Sequence, residues 1–131
     1  MRRFWDASAL VDALHDDAVE AKIRNPDQWT RTHALAATFA TMTGGRLGFR
    51  YAPDDAAALI GEVTADLNFV DLNFEETLQA LARAQARGIR GGRVHDWLHA
   101  CAAQKCQAEE LLTDNVSDFA GLAEGVAVVA P

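Results

Sequence analysis

Aspartates and small polar residues in three separate parts of the sequence could together bind a divalent cation. Asp6 follows the short apolar start Phe4-Trp5, and Asp96 lies early in a segment with helical periodicity. A third group crowds the turn after an apolar run: Thr113, Asp114, Asn115 and Asp118. Mg²⁺ and Mn²⁺ favour oxygen ligands, so carboxylates gathered where strands give way to loops would suit either ion.

Strands and helices that alternate along the chain would have to bring these residues together. Short apolar runs predict strands near residues 2–7, 29–32, 68–72, 109–113 and 126–129, with helical patterns between them. Ser8 is predicted to cap the first helix. This alternation predicts an α/β fold, a three-layer α/β/α sandwich with a central, mostly parallel sheet. Asp6 is expected at the carboxyl edge of that sheet, where ligands bind.

Two further helices have clear start signals, and one of them suggests a basic edge. Pro53 is a favoured first helical residue, and Asn73 with Glu76 forms a capping-box pattern. We expect the helix after Asn73 to continue to Gly88. If it persists further, three arginines would form either an edge that faces RNA or, more simply, a solvated face: Arg83, Arg87 and Arg90.

Length and composition favour one domain over residues 1–131 and exclude several classes of protein. Half of the 131 residues are apolar, which is typical of a globular protein and not of a disordered one. The net charge of −7 argues against a general nucleic-acid-binding surface, although an acidic pocket suits a basic partner segment. No apolar run approaches the roughly 20 residues that a membrane span needs. Two cysteines and no secretory signal predict a cytoplasmic protein.

Three stretches of the sequence, taken together, resemble the PIN-domain family, and in particular the VapC-like ribonuclease toxins of toxin–antitoxin pairs. They are the start that ends in Asp6 and Ser8, the Arg-x-His-Asp segment at Arg93–Asp96, and Leu-Leu-Thr-x-Asn-x-x-Asp-Phe at Leu111–Phe119. The closing segment Gly125–Pro131 is similar to the family's last strand. The resemblance covers essentially the whole chain, and the order and spacing of the motifs are more specific than any one of them.

The resemblance implies a metal-dependent endoribonuclease with an α/β/α fold, an RNA substrate, a cognate antitoxin and a homodimeric state. The carboxylates that bind Mg²⁺, with Mn²⁺ as the alternative ion, correspond by position to Asp6, Asp96 and Asp118. The polar residues that orient them correspond to Ser8, Thr113 and Asn115. Asp114 falls outside the motif and is expected to be merely exposed.

One position departs from the family pattern. Family members carry a glutamate on the helix that here begins near His33, and Ala37 occupies the matching position. Loss of this carboxylate predicts weakened metal binding and weakened or absent cleavage. The chain would then be either an altered, inactive form, which the other intact positions favour, or a naturally degenerate member that binds without cutting.

Two other functions compete with the ribonuclease. A non-catalytic PIN-like interaction module is the first, and Ala37 is its main support. The second is a zinc hydrolase, because His95 and His99 form an H-D-x-x-H pattern that places two histidines on one helix face. The zinc hypothesis is the weaker of the two, since no third ligand is evident downstream. Apolar helix faces such as that of Leu59, Ile60 and Val63 would serve the core by default, or else a dimer interface.

Overall fold

The computed structural model describes all 131 residues, Met1 to Pro131, as five strands, seven α-helices and two 3₁₀ turns. The strands are β1 (Arg3–Trp5), β2 (Gln28–Thr30), β3 (Asn68–Phe69), β4 (Glu110–Leu112) and β5 (Ala127–Val129). The helices are α1 (Ala7–His15), α2 (Asp17–Ile23), α3 (Thr32–Thr43), α4 (Pro53–Thr64), α5 (Phe74–Ala82), α6 (Val94–Lys105) and α7 (Val116–Phe119). The 3₁₀ turns are Gln85–Arg87 and Gly91–Arg93. None of the helices is long and apolar enough to cross a bilayer.

The five strands form one sheet in the order β3-β2-β1-β4-β5, and every neighbouring pair is parallel. The predicted sandwich with a mostly parallel sheet is therefore confirmed, and the sheet is parallel throughout. Strand β1 lies in the middle, where Phe4 pairs in register with Trp29 on one side and Leu111 on the other. Asp6, directly after β1, is thus placed at the centre of the sheet's carboxyl edge.

Alternating side chains of the central strands fill two cores, one on each face of the sheet. Phe4 and Leu111 are fully buried in the core that α6 and α7 cover. Trp5 and Leu112, one residue further along, are fully buried on the opposite face against α1 to α4. Because successive strand residues point to opposite faces, central strands covered on both sides must be apolar at every position.

Two predicted helix boundaries are wrong. Asp6, not Ser8, is the N-cap of α1: its carboxylate accepts a hydrogen bond from the Ala9 N–H, and Ser8 is already inside the helix. Both residue types are good caps, and the end of β1 at Trp5 decides between them. Helix α5 begins with the predicted capping box but ends at Ala82, and a 3₁₀ turn leads to a left-handed Gly88.

The basic edge that a longer α5 would have formed is absent. The Arg83 and Arg87 guanidinium groups instead lie over the indole of Trp97, 5.4 and 5.6 Å from the ring centroid. Trp97 is fully buried under α5 and donates its indole N–H to the Ala80 carbonyl. These two arginines therefore cover the α5–α6 core instead of forming an RNA-facing rim.

Candidate functional site

The sheet order creates a crevice between β1 and β4. The chain proceeds outward from β1 through β2 to β3, then returns to the other side of β1 to form β4 and β5. Connections that leave two adjacent parallel strands in opposite directions open a crevice at the carboxyl ends of those strands, which is where α/β proteins bind ligands. Asp6 follows β1 and Thr113 follows β4, so two of the predicted site residues flank this crevice.

Asp6 is held rigidly at the crevice. Its side chain is 5% exposed, and its Oδ1 accepts hydrogen bonds from the Ser8 hydroxyl at 2.8 Å and the Ala9 N–H at 2.9 Å. Burial raises the pKa of the Asp6 carboxyl, while hydrogen bonds from Thr113, Ala9 and Ser8 act in the opposite direction. No ion pair neutralises the group. Asp6 is therefore positioned as a carboxylate that a cation would stabilise.

Ser8 and Thr113 connect the two sides of the crevice. Their hydroxyl oxygens are 3.3 Å apart, and the Asp114 N–H donates to Ser8 Oγ at 3.0 Å. The Asn115 N–H donates to Thr113 Oγ1, also at 3.0 Å. Thr113 is fully buried, so this small network fixes the path of the chain after β4 relative to Asp6.

A cavity of about 580 Å³ opens above the crevice, and residues from both helical layers line it. Four carboxylates contribute to its wall: Asp6, Asp12, Asp96 and Asp114. Its polar and basic lining includes Ser8, Asn115, Arg46 and three histidines, His33, His95 and His99. The predicted residues Asp6, Ser8, Asp96 and Asn115 therefore share one hollow, although they are widely separated in the sequence.

Asp118 and Thr113 do not line the cavity, and their places differ. Thr113 lies beneath it, in the hydrogen-bond network just described. Asp118 is an exposed residue of α7, and its backbone carbonyl accepts a hydrogen bond from Arg93 at 3.1 Å. Asp96 is partly buried; its pKa is raised by burial and then by the negative charge of Asp118. Asp118 thus lies within electrostatic reach of Asp96 at the edge of the cavity.

Asp12 was not predicted from the sequence, and the expectation for Asp114 was incomplete. Asp114 is exposed, as expected, but it lines the cavity next to Asp12. Burial, hydrogen bonding to Asp114 and the charges of Asp114 and Asp6 raise the pKa of Asp12 to about 7. A helical period could have revealed Asp12, because it lies one turn after Ser8 on the same face of α1.

Three histidines form the opposite part of the wall. The His33 ring lies 5.5 Å from that of His95 and 6.3 Å from that of His99, measured between centroids. His99 is 6% exposed and packs against Phe4, and burial lowers its pKa to about 3. Its Nδ1 has no hydrogen-bond partner. His95 and His99 do face one cavity, as the H-D-x-x-H pattern requires, but His99 is a neutral residue of the packed interior.

The donor chemistry of the cavity fits a divalent cation, although the side chains do not form a closed cage. No group of three or more His, Cys, Asp or Glu side chains is arranged to hold an ion. Mg²⁺ commonly binds through one or two carboxylates and keeps several waters, which the oxygens of Asp6 and Asp96 would satisfy. Ala37 lines the same cavity and contributes no ligand. Zinc is not favoured, because its sites usually need three or four protein ligands.

No protein-family model and no curated protein sequence matches this chain. Its fold, however, matches solved structures over nearly their full length. PAE2754 from Pyrobaculum aerophilum superposes with a TM-score of 0.72 at 16% identity, covering 98% of this chain and 90% of that one. VapBC2 from Rickettsia felis, solved with a DNA fragment from the promoter, gives 0.68 at 16% identity, covering 100% and 99%. VapBC-1 from nontypeable Haemophilus influenzae gives 0.62 at 17% identity, covering 99% and 98%.

At these identities the likeness establishes the fold. It confirms the PIN-like α/β/α fold that the sequence motifs predicted. The roles of individual residues follow from the geometry of this chain alone.

Proposed function

We propose that this chain is a VapC-like toxin of a toxin–antitoxin pair, built as a metal-dependent endoribonuclease and weakened by Ala37. The observation that carries the proposal is the shared cavity of Asp6 and Asp96 at the sheet's switch point. The fold, which this chain shares with VapBC2 and VapBC-1, supports the toxin assignment. A hydrolytic site with several uncompensated carboxylates and no nucleophilic cysteine or serine motif suits phosphodiester hydrolysis assisted by a cation.

In this proposal Asp6 and Asp96 hold Mg²⁺ or Mn²⁺, and Asp118 adds negative charge beside Asp96. A bound cation would neutralise the scissile phosphate and lower the pKa of an attacking water. Ser8 holds the Asp6 carboxylate in one orientation through its 2.8 Å hydrogen bond. Thr113 and Asn115 keep the chain after β4 in place, so that the two sides of the crevice stay at a fixed separation.

Ala37→Glu tests the proposal directly. Ala37 lies on the cavity wall one helical turn from His33, so a glutamate there would point a carboxylate towards the same hollow. We expect the variant to bind Mn²⁺ at least tenfold more tightly by calorimetry, which is about 1.4 kcal/mol. We also expect it to cleave single-stranded RNA where the present chain cleaves slowly or not at all.

Two matched variants complete this experiment. Ala37→Gln adds the same side-chain length without the charge and should restore neither property. Ala37→Glu combined with Asp96→Asn should lose the gain, since Asp96 belongs to the same site. Equal nuclease activity and equal Mn²⁺ affinity in the present chain and in Ala37→Glu would refute the proposal.

The antitoxin partner is proposed to place a basic segment in the acidic cavity. Four carboxylates line it, and the pKa values of Asp6, Asp12 and Asp96 are raised chiefly by burial and further by neighbouring carboxylate charges, which an arginine would offset. An arginine-containing antitoxin peptide should bind this chain, and Asp96→Asn should weaken binding at least tenfold in fluorescence anisotropy. Unchanged affinity in Asp96→Asn would place the antitoxin segment elsewhere.

The homodimer stays a prediction, and the helix face of Leu59, Ile60 and Val63 is a poor candidate for its interface. Ile60 and Val63 are buried in the core, as the default reading of that helix face expected. The apolar stripe that remains exposed is on α5, where three residues at helical spacing are 44–77% exposed: Phe74, Leu78 and Leu81.

The alternative function, a non-catalytic interaction module, uses the same cavity. Ala37 is the observation that favours it, because the cavity wall lacks a carboxylate at that position. The Ala37→Glu experiment separates the two functions: an interaction module would bind the basic peptide with high affinity and would remain inactive on RNA even with the glutamate restored.

A further inference from the structure

The loop between α3 and α4 combines exposed basic residues with an exposed aromatic residue. Residues 46–51 read Arg-Leu-Gly-Phe-Arg-Tyr, with two arginines and no acidic residue in a chain of net charge −7. Arg46 and Arg50 are exposed, and neither takes part in an ion pair. Unpaired guanidinium groups beside an acidic cavity are available to an anionic partner.

This loop adjoins the candidate site. Arg46 and Leu47 line the cavity that contains Asp6 and Asp96. The loop is tied to the body of the protein at its far end, where the Tyr51 N–H donates to the Met42 carbonyl at 3.0 Å. The Tyr51 hydroxyl also hydrogen-bonds to His15 Nε2 at 2.7 Å. The loop is therefore a positioned rim of the cavity.

An aromatic cluster forms around the same loop and includes the exposed ring of Phe49. Phe49 packs edge-on against Tyr51 with centroids 5.3 Å apart, and against His15 at 6.2 Å. Phe49 is nevertheless 51% exposed. About half of the Phe49 surface is therefore open to solvent, and an exposed aromatic ring can stack a nucleic-acid base.

We propose that residues 46–51 form the docking segment for single-stranded RNA next to the cavity, with Arg46 and Arg50 on phosphates and Phe49 stacked on an unpaired base. The inference rests on the proposed ribonuclease function and adds the surface that binds its substrate. Charge complementarity favours RNA over an acidic protein segment, because alternating arginine and aromatic side chains match the alternating phosphates and bases of a single strand. A base inside a duplex is already stacked, so the substrate must be single-stranded at this point.

Binding is measured without cleavage, with the full chain, a fluorescein-labelled ten-nucleotide single-stranded RNA and EDTA, by fluorescence anisotropy at several salt concentrations. The test variant is Arg46→Gln with Arg50→Gln. The control is Lys22→Gln with Arg24→Gln, which removes the same charge from the C-terminal end of α2, where neither residue lines the cavity. We expect the test variant to bind at least tenfold more weakly than the control. The slope of log K against log salt should fall in magnitude by about 1.4, or about 0.7 for each of two lost phosphate contacts.

Phe49→Ala tests the stacking contact separately. It should weaken binding by roughly 5- to 150-fold, the range for loss of one base–aromatic stack. Phe49→Tyr keeps an aromatic face and should bind as the unaltered chain does. The effect of Phe49→Ala should vanish on an RNA with abasic sites and on a duplex of the same sequence.

Several results would overturn the inference, and they differ from failure of the ribonuclease proposal. Equal RNA affinity in the test variant and the control variant would show that this rim does not dock RNA. The absence of any detectable RNA binding would show the same, even if Ala37→Glu cleaves RNA. If the test variant bound an acidic peptide more weakly but bound RNA as before, the inference would be overturned in favour of a protein partner. Rim-dependent RNA binding together with an inactive Ala37→Glu would support the docking segment and refute the nuclease.

Discussion

Asp6 shows how one side chain serves the fold and the candidate site together. Its Oδ1 caps α1 by accepting from the Ala9 N–H, and the same oxygen accepts from Ser8. Its carboxyl pKa stays raised despite these bonds because the group is buried. The local helix start therefore orients a carboxylate that the interior disfavours in its charged form, and a cation at the crevice would remove that penalty.

The carboxylate of Asp12 should make stability fall with pH. Its pKa is raised to about 7, chiefly by burial and by Asp114, so the folded protein holds this proton more tightly than the unfolded chain does. This contribution to stability is fully present below the ordinary carboxyl pKa of 3.8 and is lost as pH rises through the folded pKa of about 7. Asp12→Asn should stabilise the protein at pH 8 by about 1 kcal/mol, a figure reduced for solvent screening of a half-buried group.

Urea unfolding at pH 4 and pH 8 measures this effect. The gain from Asp12→Asn should be confined to the higher pH, and Asp17→Asn on the exposed start of α2 provides the matched loss of charge. An equal gain at both pH values would mean that titration of Asp12 is not the cause.

At the scale of single elements, the start of α5 is held from two sides. Asn73 and Glu76 form a complete capping box, with bonds of 2.8 and 2.9 Å between each side chain and the other residue's N–H. Glu76 also pairs with Lys105 at 2.7 Å, at the end of α6. The cap therefore couples the start of α5 to the end of the helix that carries Asp96.

Asn73→Ala should destabilise the protein by about 1 kcal/mol, the usual loss for an N-cap residue. Asn73→Asp keeps an acceptor at the cap and should cost much less. Differential scanning calorimetry compares the two variants. Similar losses in both would show that the hydrogen bond to the Glu76 N–H is not what stabilises this helix start.

At the scale of the whole molecule, the central strands join both helical layers, and Phe4 is the largest side chain on its face of β1. It is fully buried against α6 and β4 and also contacts His99 on the cavity wall. Phe4→Ala should cost about 3–5 kcal/mol, as expected for a large cavity in a packed core. Phe49→Ala, at a half-exposed ring, should cost far less, because little buried apolar area is lost.

Chemical denaturation of the two variants side by side checks both values. The comparison also supports the RNA-docking experiment, since it separates lost binding in Phe49→Ala from lost folding. A loss of stability in Phe49→Ala close to that of Phe4→Ala would mean that the loop at residues 46–51 is part of the core.

Much of the site could be predicted from the sequence because its signals are local. Phe4-Trp5 before Asp6, and Leu111-Leu112 before Thr113, are apolar pairs followed by polar residues, and such pairs mark the ends of buried parallel strands. The sequence resemblance then indicated which polar residues belong together. Asp12 had only its helical spacing from Ser8 as a signal, and Arg46 had none, since it belongs to a loop whose orientation depends on packing.

The amino-acid sequence by itself determined most of the strands and helices, the capping box of α5 and the fold class, because hydrophobic period and capping act over a few neighbouring residues. Tertiary structure alone decided three things. It ended α5 at Ala82 and stacked its arginines on Trp97; it placed Asp12 and Asp114 in one cavity with Asp6; and it brought the loop at residues 46–51 to the rim. These outcomes depend on which surfaces meet across the sheet, and local patterns of neighbouring residues do not specify those contacts.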